Sequence, residues 1–391
     1  MSFTNISTPD KIYYDIQISN IDDIDTLPPV LSFIETRNNP FLYESDKYYM
    51  SIIRFSLETP NLPVFIPTIQ PSPNTDINLT IYSVTLQWIN PLDTSQIFTS
   101  QQFITYVPQS NIAILPPNPT QTDNGLQYNT TGYYNIYNYQ YFIYLINNAF
   151  TLAYQQLLTK VTDAELNLPS SYSPILSWDT SNNTAILNCD VLGYSTTSTN
   201  YIKIFFNTAL AQLFSSFPVR ITSASSYLGL NTQIITDSYN NSNIIQYPPY
   251  NPTYDAIQVF QEFSTIALWS PVTSIVFTSN TLPIVSNQVS TPIIYNNGNQ
   301  LGSNGNNALI SQVITDFISN EGTYKPNLVY EPSAQYRYIE LLSNRPLNTF
   351  DLQVYWKDRQ GVLIPFYLSS GCTATIKVLF TKKNSLGNYK Q

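Results

Sequence analysis

Apolar and polar residues alternate along much of this chain, and the alternation predicts strands. Lys11–Ser19 (KIYYDIQIS) sets Ile12, Tyr14, Ile16 and Ile18 on one face. Tyr48–Leu57 is β-branched and aromatic and reads as a strand. Asp76–Asn90 is a longer one, and its apolar positions change face between Ile81 and Val84, which marks a bulge. Shorter strands follow at 174–178, 184–189 and 201–206, then at 256–264 and 272–279, and the end reads as strands at 336–342, 350–356, 362–368 and 372–380. Pro365 assigns the 362–368 strand to an edge or a bulge. Gly361, in the KDRQG link, and Gly371 mark turns between strands.

The period changes in the middle of the chain. Phe142, Leu145, Ile146, Ala149, Phe150, Ala153, Leu157 and Leu158 fall on one face of a helix of roughly five turns. Asn207 is placed to cap a short helix through Phe214. Leu309, Ile310, Val313, Ile314, Phe317 and Ile318 also keep helical spacing and predict a short helix, with Asn307 as its cap. The stretches 108–139, 223–233, 239–255 and 298–307 read as loops.

Many short strands and few helices argue for a mainly β protein, a β-sandwich or jelly roll. The clearest helix lies between β-rich ends. The economical organisation is one β domain built from both chain ends, 1–105 and 255–391, with an α+β insertion domain at 106–254.

Between the first strands lies an odd segment, RFSLETPNLPVFIP, Arg54–Pro67. An apolar run is cut by Pro60, Pro63 and Pro67 and reads as a strand followed by a stiff extended arm.

Charged residues make up 10% of the 391, well under the ~25% usual for soluble domains, so Asn, Ser, Thr, Gln and 31 Tyr must build the polar surface. Such a surface loses less on desolvation and suits burial against partners; AT-rich codon bias explains part of the same composition. Net charge is −9. No Lys or Arg lies between Arg54 and Lys160, or between Arg220 and Lys325, and nine cations gather from Lys325 onward. This asymmetry reads either as one part meeting a different partner or as ordinary solubilising charge.

Candidate chemistry is sparse. With no histidine, mechanisms using a His base or a His metal ligand drop out. Cys189 and Cys372 form no paired motif and read as small buried apolar residues. Asp22, Asp23 and Asp25 have the spacing of a Ca²⁺ loop, against the plainer reading of a solvated acidic loop. Phosphate-binding, zinc-protease and serine-hydrolase motifs are missing. A carboxylate pair of glycosidase type is not singled out by any feature. The expectation is no enzyme, no cofactor and no metal. Net negative charge opposes nucleic-acid binding, the Lys382, Lys383 and Lys390 tail being the exception. The opening MSFTNISTPDK predicts no signal peptide, and no apolar run reaches the ~20 residues of a membrane span.

Three stretches in order carry a resemblance: Arg37–Pro67, YIKIFFNTALAQLFSSFP at 201–218, and Tyr338–Lys383 with VYWKDRQG inside it. Together they resemble the penton (minor capsid) proteins of virophages and related polinton-type viruses. They cover roughly a quarter of the chain, and their order, with length and composition, carries the match; the middle of the chain matches least. The resemblance implies a single upright jelly roll with an outward insertion domain, assembled as a homopentamer at icosahedral vertices among major capsid proteins. It implies a virion protein made in the host cell cytoplasm. Packing and interface positions are then Arg54, Pro60, Pro63, Phe65, Pro67, Trp356, Lys357, Asp358, Arg359, Lys382 and Lys383. The proline arm would lie against an adjacent subunit, or else on its own sandwich; for Trp356 the core reading is favoured. Two other functions stay open: a virion spike or lectin-like protein binding a host receptor or glycan through the insertion domain, and a glycan-active enzyme.

Overall fold

A computed structural model describes residues 9–22, 28–60, 62–70, 76–109, 132–222, 229–237, 242–246, 255–285, 287–289, 293–296, 299–302, 309–318, 327–331, 337–359 and 361–385. The chain divides into two compact units, one from 1–62 and 271–391, the other from 63–270.

The first unit holds two antiparallel ladders. One runs β1 (Lys11–Ser19), β23 (Thr373–Lys382), β3 (Tyr48–Glu58), β19 (Asn327–Tyr330), with β20 (Ile339–Glu340) also on β3. The other runs β18 (Val313–Phe317), β13 (Val272–Thr278), β21 (Thr349–Asp358), β2 (Ser32–Thr36), with β22 (Leu363–Pro365) also on β21. Two short hairpin ladders, β14 (Asn287–Val289) with β17 (Leu309–Ser311) and β15 (Ile293–Asn296) with β16 (Asn299–Gly302), stand apart from both. The inner faces meet through aromatic rings. Phe55 of β3 lies 5.2 Å from Phe277 of β13 and 4.9 Å from Phe317 of β18. Phe350 of β21 lies 5.9 Å from Phe380 of β23. Offset and edge-on rings at these separations add to the burial of their apolar area.

The second unit places α1 (Tyr139–Asp163) against two further sheets. These are β5 (Ile97–Thr105), β4 (Leu79–Ile89), β8 (Ile202–Phe206), β10 (Thr232–Ile234), β9 (Val219–Ile221), and β11 (Ser242–Gln246), β12 (Asp255–Phe260), β7 (Thr184–Asp190), β6 (Ile175–Asp179). Asn138 caps α1, its side chain accepting from Tyr141 N–H, and the helix buries Phe142, Leu145, Ile146, Ala149, Phe150, Ala153 and Leu157. Leu158, assigned to the same face by spacing, is instead 39% exposed. Asn207 caps α3 (Thr208–Leu213) by accepting from Leu210 N–H. The register of β4 against β5 shifts between Leu79 and Ser83, where the apolar pattern changed face.

Two expectations change. Residues 309–318 are strands, not helix. Val313, Ile314 and Thr315 are β-branched and lie on β18, which β13 offers a paired edge, while Ile310 of β17 pairs with Gln288 of β14. A bulge at Ile314, where Phe277 faces Thr315 and Thr278 faces Val313, breaks the alternation and imitates helical spacing. The expected cap Asn307 lies outside the described residues, as do 110–131 of the long loop, 223–228 of the loop at 223–233, and 239–241 and 247–254 of the loop at 239–255. The compact units also part at 62/63 and 270/271 rather than at 105/106 and 254/255. β4 leaves the expected first segment because it pairs with β8, Val84 facing Phe206. Residues 255–260 join the second unit because β12 pairs with β7.

Candidate assembly surface

The outer face of the β1–β23–β3 ladder carries a charged row. Asp15 faces Lys377, which faces Arg54 in the next strand. Lys377 Nζ lies 3.4 Å from Asp15 Oδ2 and Arg54 Nη2 4.0 Å from Asp15 Oδ1, so two cations share one carboxylate on an open sheet face. Arg54 sits where the β3–β23 register shifts between Lys377 and Val378, and the shift turns its side chain outward. Tyr13 extends the row, with Lys377 Nζ 5.5 Å from its ring centre.

The proline arm does not behave as one piece. Pro60 is exposed. Pro63, Phe65 and Pro67 are buried within the second unit. Phe65 exchanges backbone hydrogen bonds with Ile136, and its ring lies 4.5 Å from Phe142 and 5.6 Å from Trp269. The expected contact of Phe65 with a neighbouring subunit is thereby corrected: the ring fills this chain's own core, where an extended, φ-restricted segment costs least to order.

At the C-terminal hairpin, Trp356 is 4% exposed and belongs to the core. Asp358 is 2% exposed and holds the turn to β22, its Oδ1 accepting from Val362 N–H at 2.8 Å. Gly361 completes that turn with φ 85°. Lys357 is partly exposed, and Arg359 projects at the turn itself. Among the described residues the strand after the turn pairs along β21 alone, so Pro365 stands at an edge as its chemistry requires.

Several of the C-terminal cations are matched inside the chain. Lys382 Nζ lies 3.7 Å from Asp10, Lys383 reaches Glu340 and the Tyr49 ring, and Arg337 lies 3.1 Å from Asp316. This pairing could not be read from the charge asymmetry alone, because the partners come from distant segments. Sequence reasoning also missed Arg37. Its guanidinium lies 4.5 Å from the Phe41 ring and 5.3 Å from that of Tyr14, and Nε donates to Glu35 at 2.6 Å.

Nothing in this geometry resembles a reaction centre. Cys189 is fully buried, and burial, followed by the neighbouring Asp190, pushes its thiol up and keeps it protonated. Of the acidic loop, Asp22 is described and Asp23 and Asp25 lie outside. Among the described residues no group of three His, Cys, Asp or Glu side chains is placed to hold a metal. Nor is any helix among them long and apolar enough to cross a membrane.

The comparisons with known proteins place the chain among the structural proteins of viral capsids. The chain is a member of the Sputnik minor capsid protein V18/19 family, whose model matches residues 12–382. Two curated proteins of Sputnik virophage are similar to it. Uncharacterized protein V18 is 34% identical over 160 residues, 41% of this chain and 92% of that protein. Structural protein V19 is 30% identical over 206 residues, 50% of this chain and 88% of that protein. A chain of the Sputnik virophage structure determined by cryo-EM superposes with a TM-score of 0.78 at 28% identity, covering 98% of this chain and all of the other. The mavirus penton protein shares the fold, with a TM-score of 0.60 at 15% identity over 96% of this chain and all of that one. The protein is thus a structural component of a virophage capsid, acting with other capsid proteins and not as an enzyme.

Proposed function

We propose that this minor capsid protein is the vertex protein of its particle, five copies closing each icosahedral vertex through a jelly roll built from both chain ends. Strand order carries the reading. Counted along the chain, β1, β2, β3, β13, β18, β19, β21 and β23 fall into two ladders of order 1-8-3-6 and 2-7-4-5. That is the arrangement of an eight-stranded jelly roll made of two Greek keys. Residues 63–270 all fall between its third and fourth strands and serve as the inserted outer domain. The fold shared with the mavirus penton protein supports the same reading.

Within it, Arg54, Lys357 and Pro60 are expected residues exposed or partly exposed for lateral contacts, and the shared charge row at Asp15 gives Arg54 a valence to offer. Native mass spectrometry of the full chain over a range of protein and salt concentrations tests the proposal. A pentamer supports it. A stable trimer overturns it in favour of a spike or a trimeric capsomer.

A further inference from the structure

The second unit is tied shut where the chain enters and leaves it, at Pro63 and Ser270. Phe65 and Trp269, next to these two points, are buried with ring centres 5.6 Å apart. Each also meets Phe142 of α1, at 4.5 and 5.4 Å. Hydrogen bonds hold both rings in place. At the entry, Phe65 exchanges backbone bonds with Ile136. At the exit, Leu213 C=O, the last of α3, accepts from Trp269 Nε1 at 2.9 Å and from Thr265 Oγ1 at 2.6 Å. Gln261 adds a further tie: its Oε1 accepts from Ala185 N–H, and its Nε2 donates to Ser216 Oγ and Thr265 Oγ1.

What these ties close over belongs to the unit itself. The apolar cluster running from Val64 to Trp269 takes its buried members, among the described residues, from 63–270 alone. It draws on α1, α2 (Val191–Tyr194), α3 and both sheets. The described strands of those two sheets also pair within the unit. A chain of about 200 residues is long enough to build a core of its own. Its two ends already lie together, so the first unit carries the folded insert without closing a long flexible loop. When the insert unfolds, that loop lengthens, but its closure cost rises only with the logarithm of its length. The two folding reactions are therefore weakly coupled.

We infer that residues 63–270 form a self-closing module, which unfolds and refolds as its own cooperative unit while the ladders of the first unit keep their structure. Phe65, Phe142 and Trp269 are the clasp that closes it. The inference goes beyond the vertex reading and holds whatever the size of the oligomer. Its consequence for a capsid protein is that the inserted part opens, or changes in sequence, without dismantling the sandwich that carries it.

Hydrogen exchange of the full chain, read by mass spectrometry over graded urea, tests it. The wild type is compared with the clasp variants Phe65→Leu and Trp269→Leu and with Val354→Ala, a buried position of β21 in the first unit. Peptides from 63–270 and peptides from the first unit give separate midpoints. Both clasp variants lower the midpoint of the 63–270 peptides and leave the first-unit peptides unmoved, and Val354→Ala does the reverse. Without urea, the clasp variants raise exchange at 62–69 and at 261–270 together by at least tenfold, with 145–157 of α1 unchanged. Phe65→Leu is the milder change, so the test stands even where Trp269→Leu fails to fold. A single midpoint for the whole chain that moves as one in every variant overturns the inference. Faster exchange at one end of the unit without the other overturns the clasp.

Discussion

Asn147 holds the backbone of Leu176 from both sides. Its side-chain amide donates to Leu176 C=O at 2.8 Å and its carbonyl oxygen accepts from Leu176 N–H at 2.7 Å. Leu176 belongs to β6, the outermost strand of its sheet, so a side chain on α1 stands where a further strand would pair. At the edge strand β5, Lys160 of the same helix donates to Thr99 C=O. One helix thereby occupies hydrogen-bonding groups on two edge strands, which left bare invite pairing with another chain.

Asn147→Ala leaves the N–H and C=O of a strand residue that is 2% exposed without these partners. The expected loss is roughly 2–6 kcal/mol of unfolding free energy, since each of the two buried backbone groups left unpaired costs about 1–3 kcal/mol. Urea titration of the full chain followed by Trp fluorescence measures it. A loss under about 0.5 kcal/mol would place the sealing of β6 elsewhere.

Gly193 marks a second close approach. A methyl group there would meet Ser170 Cβ at 2.1 Å and the Ser170 backbone at 3.0 Å. Ser170 cannot simply yield, because its hydroxyl donates to Asp190 at 2.6 Å and its carbonyl accepts from Tyr154 at 2.7 Å. Gly193→Ala is expected to lower stability by about 1–3 kcal/mol, the range for overpacking a filled core. The companion Ser170→Gly relieves the clash but breaks the Asp190 bond, so the double variant recovers only part of the loss.

What the sequence disclosed follows from how local each determinant is. The spacing of apolar residues in β1 and α1 is a property of the segments themselves, and both elements appear where the period placed them. The caps at Asn207 and the positive φ at Gly361 are likewise local chemistry. The strands at 309–311 and 313–317 imitate a helix because a bulge disturbs their period, and only pairing with β14 and β13 fixes their state. The same holds for the candidate surface. Arg54 is outward because of a register shift against a strand more than 300 residues away, and Phe65 is inward because Phe142 and Trp269 come to meet it. Neither depends on nearby sequence.

Trypsin offers a probe of the second unit that the charge distribution makes unusually clean. Within 63–270 the sites are Lys160, Lys203 and Arg220. Lys160 lies in α1 with its ammonium on Thr99, and Lys203 lies in β8 between β4 and β10. Arg220 lies in the three-residue edge strand β9, all of it exposed. Limited digestion under native conditions is expected to cut first after Arg220 within this unit, with cleavage at Lys160 and Lys203 slower by at least tenfold. Early cleavage at Lys203, read by mass spectrometry of the fragments, would contradict its central place in the sheet.

Acid sensitivity follows from Asp351. This carboxylate is 4% exposed and gathers the turn after β13, accepting from Ser279 Oγ, from Thr281 Oγ1 at 2.7 Å, and from the backbone N–H groups of Asn280 and Thr281. Burial pushes its carboxyl up, but the hydrogen bonds from Ser279, Thr281 and Asn280 together outweigh burial and hold it below the ordinary range. A group whose folded value lies below its unfolded one stabilises fully above the unfolded value of about 3.9, and that stabilisation is lost as pH falls through the folded value. The chain contains no histidine to titrate between pH 5 and 8. The unfolding midpoint in urea is therefore expected to be flat across pH 5–8 and to fall below about pH 4. In Asp351→Asn the neutral-pH midpoint drops, because an amide oxygen replaces a charged acceptor of several donors, and the acid-dependent fall is correspondingly shallower. A variant whose midpoint declines with acid as steeply as the wild type would assign the acid response to other carboxylates.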